Sequence, residues 1–188
     1  MTQTYTAPRL TNGLDLEALG EIVQSIKRDP SNALVAFRVT TDWKGQARSQ
    51  SAVTSYVIGA NEIPRSFTID ADEPIEILGT NTAPNPQELL MSAVNACMLV
   101  GYVAQASVRG ITLESCRIET DGELDLRGFL GLADDVPPGY RQINYAVRIQ
   151  GDGTPEQYRE IHQAVMQTSP NYFNLTRPVR MNGVLQLD

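Results

Sequence analysis

Histidine and cysteine are scarce in this chain, which has one histidine, His162, and two cysteines, Cys97 and Cys116, among its 188 residues. One histidine leaves no His/Cys cluster that could bind a metal ion, and it argues against a hydrolase built on a Cys-His or Ser-His-Asp arrangement. Two cysteines do not make a disulfide framework, so a reducing cytoplasm is the expected location. We therefore expect no metal and no bound cofactor.

Positive charge is scarce as well. The 15 lysines and arginines stand against 22 acidic residues, which gives a formal net charge of −7. A chain with this charge is not expected to bind nucleic acid as its main partner. The first residues, MTQTYTAPRLTNG, lack the basic-then-apolar pattern of a secretory signal, which again favours the cytoplasm.

One long apolar segment occupies residues 85–109. Asn85 can cap a helix, Pro86 suits its first position, Glu88 completes a capping box, and Gly110 follows its end. The helix has about 23 residues and a length of roughly 34 Å at 1.5 Å per residue. A helix without a polar face is a buried central helix or a membrane span. The absence of a second apolar segment favours the buried helix, as do the polar residues Ser92, Asn95, Gln105 and Ser107.

The other segments predict an α+β architecture, with an arm over 1–32 followed by a domain over 33–188. Apolar residues at helical spacing predict helices at 12–29 and 155–168. The strand-like runs are 33–42, 51–58, 65–70, 111–120, 143–150 and 177–187. The first three have the spacing of an antiparallel meander. Residues 121–140 predict a mobile loop, and we interpret the acidic residues Asp70, Asp72 and Glu73 as a solvated turn.

Cys97 lies halfway along the apolar helix, on a narrow face of small and apolar residues: Leu90, Ala93, Val94, Gly101 and Ala104. Such a cysteine is either a small core residue or a reactive thiol. Cys97 is too far from the helix N-terminus for the dipole to activate it, so reactivity requires an arginine from elsewhere. Arg48 is the best candidate because it lies where a hairpin begins its return strand; Arg38 is the second choice, and Arg65 lies in the same strand region. Cys116 could reach Cys97, although core packing is the better explanation for it.

Several motifs, taken together with their order and spacing, resemble the family of osmotically induced and organic-hydroperoxide-resistance proteins (OsmC/Ohr). The resemblance runs from about Val35 to Leu187, and its most specific motifs are N-P-Q-E-L-L-x(6)-C at 85–97, D-E-P-x(3)-L-G at 72–79 and R-G-I-x-L at 109–113. Further similarity lies in E-L-D-L-R-G-F-L-G-L at 123–132 and in T-S-P at 168–170.

The resemblance implies an OsmC-like fold, in which antiparallel sheets wrap around the long central helices of an intertwined homodimer. It also implies that Cys97 is the peroxidatic cysteine of a thiol-dependent hydroperoxide reductase. Two positions depart from the family pattern. Ser169-Pro170 replaces the resolving Cys-Pro pair, and Gln87 replaces the carboxylate that many members have ten residues before the reactive thiol.

The predicted function is therefore the reduction of organic hydroperoxides in oxidative stress defence. Cys97 attacks the peroxide, Arg48 stabilises the thiolate and the leaving oxygen, and Glu88 or Gln87 holds the guanidinium. Regeneration requires Cys116 or an external thiol reductant. The predicted pocket consists of Met91, Val94, Met98 and Gly101. An alternative is a non-catalytic protein that binds a small apolar ligand at the dimer interface, and a third is a structural or partner-binding role for the arm and residues 123–140.

Overall fold

The computed structural model describes residues 10–187, so the first nine residues of the predicted arm lie outside the described part. The chain divides into two units, one ending at Leu90 and the other beginning at Met91. The helix α2, Pro86–Val108, belongs to both. The boundary at residue 32 between an arm and a domain stays a prediction.

The N-terminal unit contains most of the strands. Its elements are β1 (Leu10–Thr11), β2 (Leu14–Asp15), α1 (Leu16–Arg28), β3 (Val35–Phe37), β4 (Thr40–Trp43), β5 (Ser49–Ile58) and β6 (Asn61–Ala71), with 3₁₀ turns at Pro30–Ala33 and Ile75–Ile77.

The helix α1 begins four residues later than the sequence predicts. Asn12 and Gly13 have positive φ angles of 51° and 80° and form the turn between β1 and β2 instead. The carboxylate of Asp15 then caps α1 by accepting the backbone N–H groups of Glu17 and Ala18. The predicted helix begins too early because Asn12 and Gly13, which favour turns, lie just before the amphipathic stripe of α1.

The predicted antiparallel meander is present, but its first strand is broken. The central strand β5 pairs with β6 along one edge and with β3 and β4 along the other. Phe37 pairs with Tyr56, whereas Thr40 pairs with Ala52, so the register changes by one residue between β3 and β4. A single predicted strand over 33–42 is thus two short ones separated by an irregularity.

One carboxylate of the acidic turn, that of Asp72, is buried, which corrects its interpretation as a solvated turn, whereas Asp70 at the end of β6 is exposed. Asp72 is only 1% exposed. Its oxygens accept the hydroxyls of Thr80 and Thr82 at 2.5 and 2.9 Å, and they accept the backbone N–H groups of both threonines and of Glu73. Gly79 closes the turn so tightly that a Cβ there would lie 1.7 Å from the Glu73 carbonyl oxygen. These contacts give the aspartate and the glycine of the motif at 72–79 specific structural roles.

The C-terminal unit contains the main hydrophobic core. After α2 come β7 (Leu113–Gly122), α3 (Leu126–Phe129), β8 (Ile143–Gly151), α4 (Pro155–Thr168) and α5 (Pro170–Thr176). The strands β7 and β8 form an antiparallel pair. The buried core cluster joins α2, α4 and the turn after α2, and comprises Val94, Met98, Tyr102, Ala106, Ile111, Ile161 and Val165. The helices at 86–108 and 155–168 and the strand at 143–150 lie where the sequence predicts them.

Three local differences from the predicted elements have physical causes. A register shift between Leu113 and Ser115 in β7 explains the imperfect alternation of that strand. The loop over 121–140 contains the short helix α3, whose first turn Asp125 caps through the Arg127 N–H. The segment 177–187 is not the predicted strand. It belongs to no sheet of the described chain, because a strand forms only with a partner for its backbone hydrogen bonds.

The helix α2 is buried on one side only in the single chain. Met98 and Tyr102 are enclosed by the core, whereas Val100 is 70% exposed. By length and composition α2 could also cross a membrane. Because one side of α2 packs in the core cluster of the C-terminal unit, we interpret it as a core helix.

Candidate functional site

The candidate site lies at the middle of α2, where the thiol of Cys97 is partly exposed. Asn85 and Glu88 fix the start of this helix by a reciprocal capping box. The Glu88 N–H donates to Asn85 Oδ1, and the Asn85 N–H donates to Glu88 Oε2, both at 2.8 Å. Cys97 follows in the fourth turn, beside the face whose residues Val94 and Met98 belong to the core. The sulfur is therefore held on a rigid element while remaining accessible.

The thiol contacts a buried hydroxyl from the junction between α4 and α5. Ser169 is 4% exposed, and its Oγ donates a hydrogen bond to Cys97 Sγ at 3.4 Å. The same Oγ accepts the backbone N–H of Tyr172 at 3.4 Å, as the cap of α5. Because one lone pair of the hydroxyl is occupied by this N–H, its hydrogen is directed toward the sulfur.

A second contact fixes the same junction to the same turn of α2. The Asn171 side-chain amide donates to the carbonyl oxygen of Ala93 at 2.9 Å. In an α-helix, that carbonyl also accepts the N–H four residues later, which is the N–H of Cys97. The junction at 169–171 therefore contacts both the side chain and the helical turn of the cysteine.

The predicted pocket residues have different surroundings. Met98 and Val94 belong to the buried core, with Ile161 and Val165 as neighbours. At Gly101, an added Cβ would lie 3.3 Å from both methyl groups of Val165, so this glycine lets α4 approach α2 closely. Met91, one turn before Asn95 on α2, is half-buried. The helix crossing accounts for the small residues on this face, and a role in binding substrate stays a prediction.

The three candidate arginines all lie in the N-terminal unit. Arg48 stands at the turn between β4 and β5, where its Nη2 donates to the Lys44 carbonyl at 3.2 Å. The Arg65 guanidinium lies 5.1 Å from the ring centroid of Tyr56 and 5.6 Å from that of Phe67, so aromatic stacking already explains it. Arg38 is exposed between β3 and β4. Which arginine activates the thiol stays a prediction.

Of the two polar residues proposed to hold that arginine, Glu88 has a structural role. One of its carboxylate oxygens accepts the N–H of Asn85 in the capping box. Gln87, next to it in the first turn, is half-buried. The capping contact makes Gln87 the better remaining candidate for a contact with the guanidinium.

Cys116 is a free thiol like Cys97, but it packs against the core cluster from β7. Burial raises the pKa of the Cys116 thiol, which disfavours the nucleophilic thiolate. Its role as a resolving partner stays a prediction.

Sequence reasoning missed a partly buried pair between α2 and α4. The hydroxyl of Tyr102 hydrogen-bonds to Nδ1 of His162, and their rings stack with centroids 6.1 Å apart. Burial, followed by the neighbouring Tyr145, raises the pKa of Tyr102. These residues border an open cavity of about 610 Å³, of which Cys97 is not a lining residue. The signal available in the sequence was that Tyr102 shares the face of Met98 and Ala106 on α2, which requires a partner for its hydroxyl.

Among residues 10–187, no group of three or more His, Cys, Asp and Glu side chains is arranged to hold a metal ion.

Comparison with known proteins identifies the family. The family model described as OsmC-like protein matches residues 79–182, which is more than half of the chain. No curated protein matches the sequence significantly.

Two solved structures show the same fold. The OsmC-like protein of Mycoplasma pneumoniae is 19% identical, with a TM-score of 0.59, and the match covers 74% of this chain and 86% of that one. An OsmC-like protein of unknown function from Vibrio cholerae is 13% identical, with a TM-score of 0.53, and the match covers 72% and 90% of the two chains. The chain belongs to the OsmC-like family.

Proposed function

We propose that this protein is a cytoplasmic, thiol-dependent peroxidase that reduces organic hydroperoxides and so contributes to peroxide defence. The single observation that carries the proposal is the geometry of Cys97, a partly exposed thiol on the central helix that accepts a hydrogen bond from a buried hydroxyl. Membership of the OsmC-like family and the motif at 85–97 support the assignment.

In the proposed reaction, the Cys97 thiolate attacks the terminal oxygen of the hydroperoxide. The O–O bond breaks, an S–O bond forms, and the alkoxide leaves and takes a proton to become an alcohol. The sulfur is oxidised by two electrons to a sulfenic acid, and the peroxide is reduced by the same two electrons. Arg48 is proposed to stabilise both the thiolate and the leaving oxygen, with Gln87 holding its guanidinium.

Apolar surroundings favour an organic hydroperoxide over hydrogen peroxide as the substrate. The helix that carries the thiol has an exposed apolar side chain, Leu90, on the same face as Cys97. Contact with such surface favours fatty or aromatic groups through the hydrophobic effect. The non-catalytic binding alternative gains no comparable support, because Cys97 lines neither the cavity beside His162 nor the one formed by residues 121–144.

The experiment that tests this function compares Cys97→Ser with Cys116→Ser in the full-length protein. We expect Cys97→Ser to abolish the consumption of cumene hydroperoxide in the presence of a thiol, and Cys116→Ser to retain most of it, because Cys97 accepts the Ser169 hydrogen bond whereas Cys116 packs against the core cluster. Circular dichroism establishes that both variants are folded. Undiminished turnover in Cys97→Ser would contradict the proposal.

A further inference from the structure

We infer that Ser169 is a positioning residue for Cys97. Its hydroxyl stabilises the thiolate by hydrogen bonding. Because a hydroxyl cannot form a disulfide with Cys97, an external thiol reduces the oxidised cysteine. The first part depends only on the geometry at 169–172. The second part rests on the proposed peroxidase function.

The hydroxyl is suited to this role by its own hydrogen bonds. A serine hydroxyl has one hydrogen and two lone pairs, and here the Tyr172 N–H occupies a lone pair while the hydrogen points to Sγ. Ser169 is 4% exposed, so water competes little for this hydrogen. A donor fixed in this way favours the charged form of its acceptor, since hydrogen bonds to ionised groups are stronger than those to neutral ones.

The position of the hydroxyl is itself fixed. Pro170 starts α5 directly after Ser169, and the Asn171 amide binds the Ala93 carbonyl one turn before the thiol. The junction that carries Ser169 is thus attached to α2 one turn before the thiol. A hydroxyl whose position is fixed by this contact and by the Tyr172 N–H is preorganised for the thiolate before substrate arrives.

The same geometry determines how the oxidised cysteine is reduced. When Cys97 becomes a sulfenic acid, its buried neighbour is a hydroxyl, which forms no S–S bond. The sulfur of an external thiol then attacks Sγ, a water molecule leaves, and a mixed disulfide forms. A second external thiolate attacks this disulfide, which restores the Cys97 thiolate and yields the disulfide of the reductant.

The first test measures the rate of Cys97 alkylation by iodoacetamide against pH, in the full-length protein with Cys116→Ala. We expect Ser169→Ala to shift the pH midpoint upward by about one unit, which is a tenfold lower thiolate fraction at neutral pH. Ser169→Thr keeps the hydroxyl and should restore the wild-type midpoint. Thr154→Ala serves as the control, because it removes the cap of α4 without touching Cys97.

Ser169 also caps α5, so Ser169→Ala could fail to fold. Ser169→Asp keeps a good capping side chain while removing the hydroxyl donor and adding a negative charge. We expect it to lower the alkylation rate at neutral pH at least as much as Ser169→Ala. A wild-type pH profile in either folded variant would overturn the positioning role. Because alkylation uses no peroxide, this result is independent of whether the protein reduces hydroperoxides.

The second test identifies the reductant class by mass spectrometry, with Cys116 present. After one equivalent of cumene hydroperoxide and then one equivalent of 2-mercaptoethanol, we expect the wild-type protein to carry a mixed disulfide on Cys97, because no second thiol is left to cleave it. Ser169→Cys should instead lose two hydrogens by forming an internal disulfide, since its thiol replaces a group 3.4 Å from Sγ. An internal disulfide in the wild-type protein would overturn the external-thiol step. An absence of any oxidation would contradict the proposed function and leave the alkylation result standing.

Discussion

Two glycines of the N-terminal unit show how differently a single added methyl group acts. Gly79 lies against the backbone of Glu73, and a Cβ there would be 1.7 Å from the carbonyl oxygen. Gly20 lies inside α1, where nothing comes within 4 Å of an added Cβ. The close approach of the Glu73 backbone requires a glycine at position 79, whereas Gly20 only lowers the stability of α1.

We therefore expect Gly79→Ala to lower the free energy of unfolding by about 3 kcal/mol, because the turn must open to relieve the contact. Gly20→Ala should raise it by about 0.5–1 kcal/mol, since alanine restricts the unfolded chain and favours the helix. Urea denaturation of the two variants measures both effects. Equal changes in the two would show that the close contact at Gly79 is absent.

Asp72 gives the N-terminal unit a dependence on pH. The hydrogen bonds from the Thr80 side chain, and then from the backbone of Thr82, Glu73 and Thr80, lower the pKa of this carboxyl despite its burial. An unfolded aspartate titrates near pH 3.9. The stability contributed by the lowered pKa is thus fully present above that pH, and it is lost as the pH falls toward the folded-state pKa.

Asp72→Asn should remove this part of the acid sensitivity. We expect the variant to be less stable than the wild-type protein at pH 7, with a smaller further loss of stability between pH 5 and pH 3, because its amide does not titrate. Asp42→Asn is the control, since Asp42 lies on the surface. Thermal melts across this pH range measure both. Parallel curves for wild-type and Asp72→Asn would contradict the role of this carboxylate.

At the scale of the element, Glu88 at the start of α2 has two proposed roles. Its carboxylate closes the capping box with Asn85, which is a structural contact. Reciprocal capping satisfies two N–H groups that the helix itself leaves unpaired. The same side chain was also a candidate for holding the activating arginine, and the two roles predict different consequences of substitution.

We expect Glu88→Ala to lower stability by about 1 kcal/mol, the usual cost of a lost cap. Turnover per folded molecule should change little. Glu88→Gln should keep both stability and turnover, because an amide oxygen also accepts the Asn85 N–H. Steady-state kinetics with cumene hydroperoxide, alongside urea denaturation, distinguish the roles. A loss of turnover in Glu88→Gln would assign the carboxylate to the arginine.

For the whole molecule, the exposed apolar surface favours an assembly of two chains. Val100 on α2 is 70% exposed, and Met181 in the segment after α5 is 91% exposed. Leu185 and Leu187 of that segment are exposed as well. Apolar surface of this extent, on a helix and on a segment that belongs to no sheet of the described chain, is typical of an interface. We propose that a second copy of the chain covers both.

Sedimentation velocity should therefore find a dimer in dilute solution. Val100→Asp should weaken it by placing a charge in an apolar contact, whereas Gln163→Asp, which adds the same charge on the exposed face of α4, should not. A monomeric wild-type protein at micromolar concentration would contradict this proposal.

The sequence by itself determined the elements whose signals are local. The start of α2 was predictable because Asn85, Pro86 and Glu88 specify it within one turn. The same holds for α4, where Thr154 and Gln157 form a second capping box. The family was recognisable because several motifs, among them 72–79, occur in the order and spacing typical of it.

Only the tertiary structure decided which side chains meet. The contact between Cys97 and Ser169 joins residues 72 positions apart, and the burial of Asp72 depends on threonines that follow it by eight and ten positions. The prediction of a strand at 177–187 was wrong for the same reason. An alternation of apolar and polar residues does not show whether a partner strand lies beside the segment. Local patterns encode backbone conformation, whereas a hydrogen bond to a thiol depends on how α2, α4 and α5 pack.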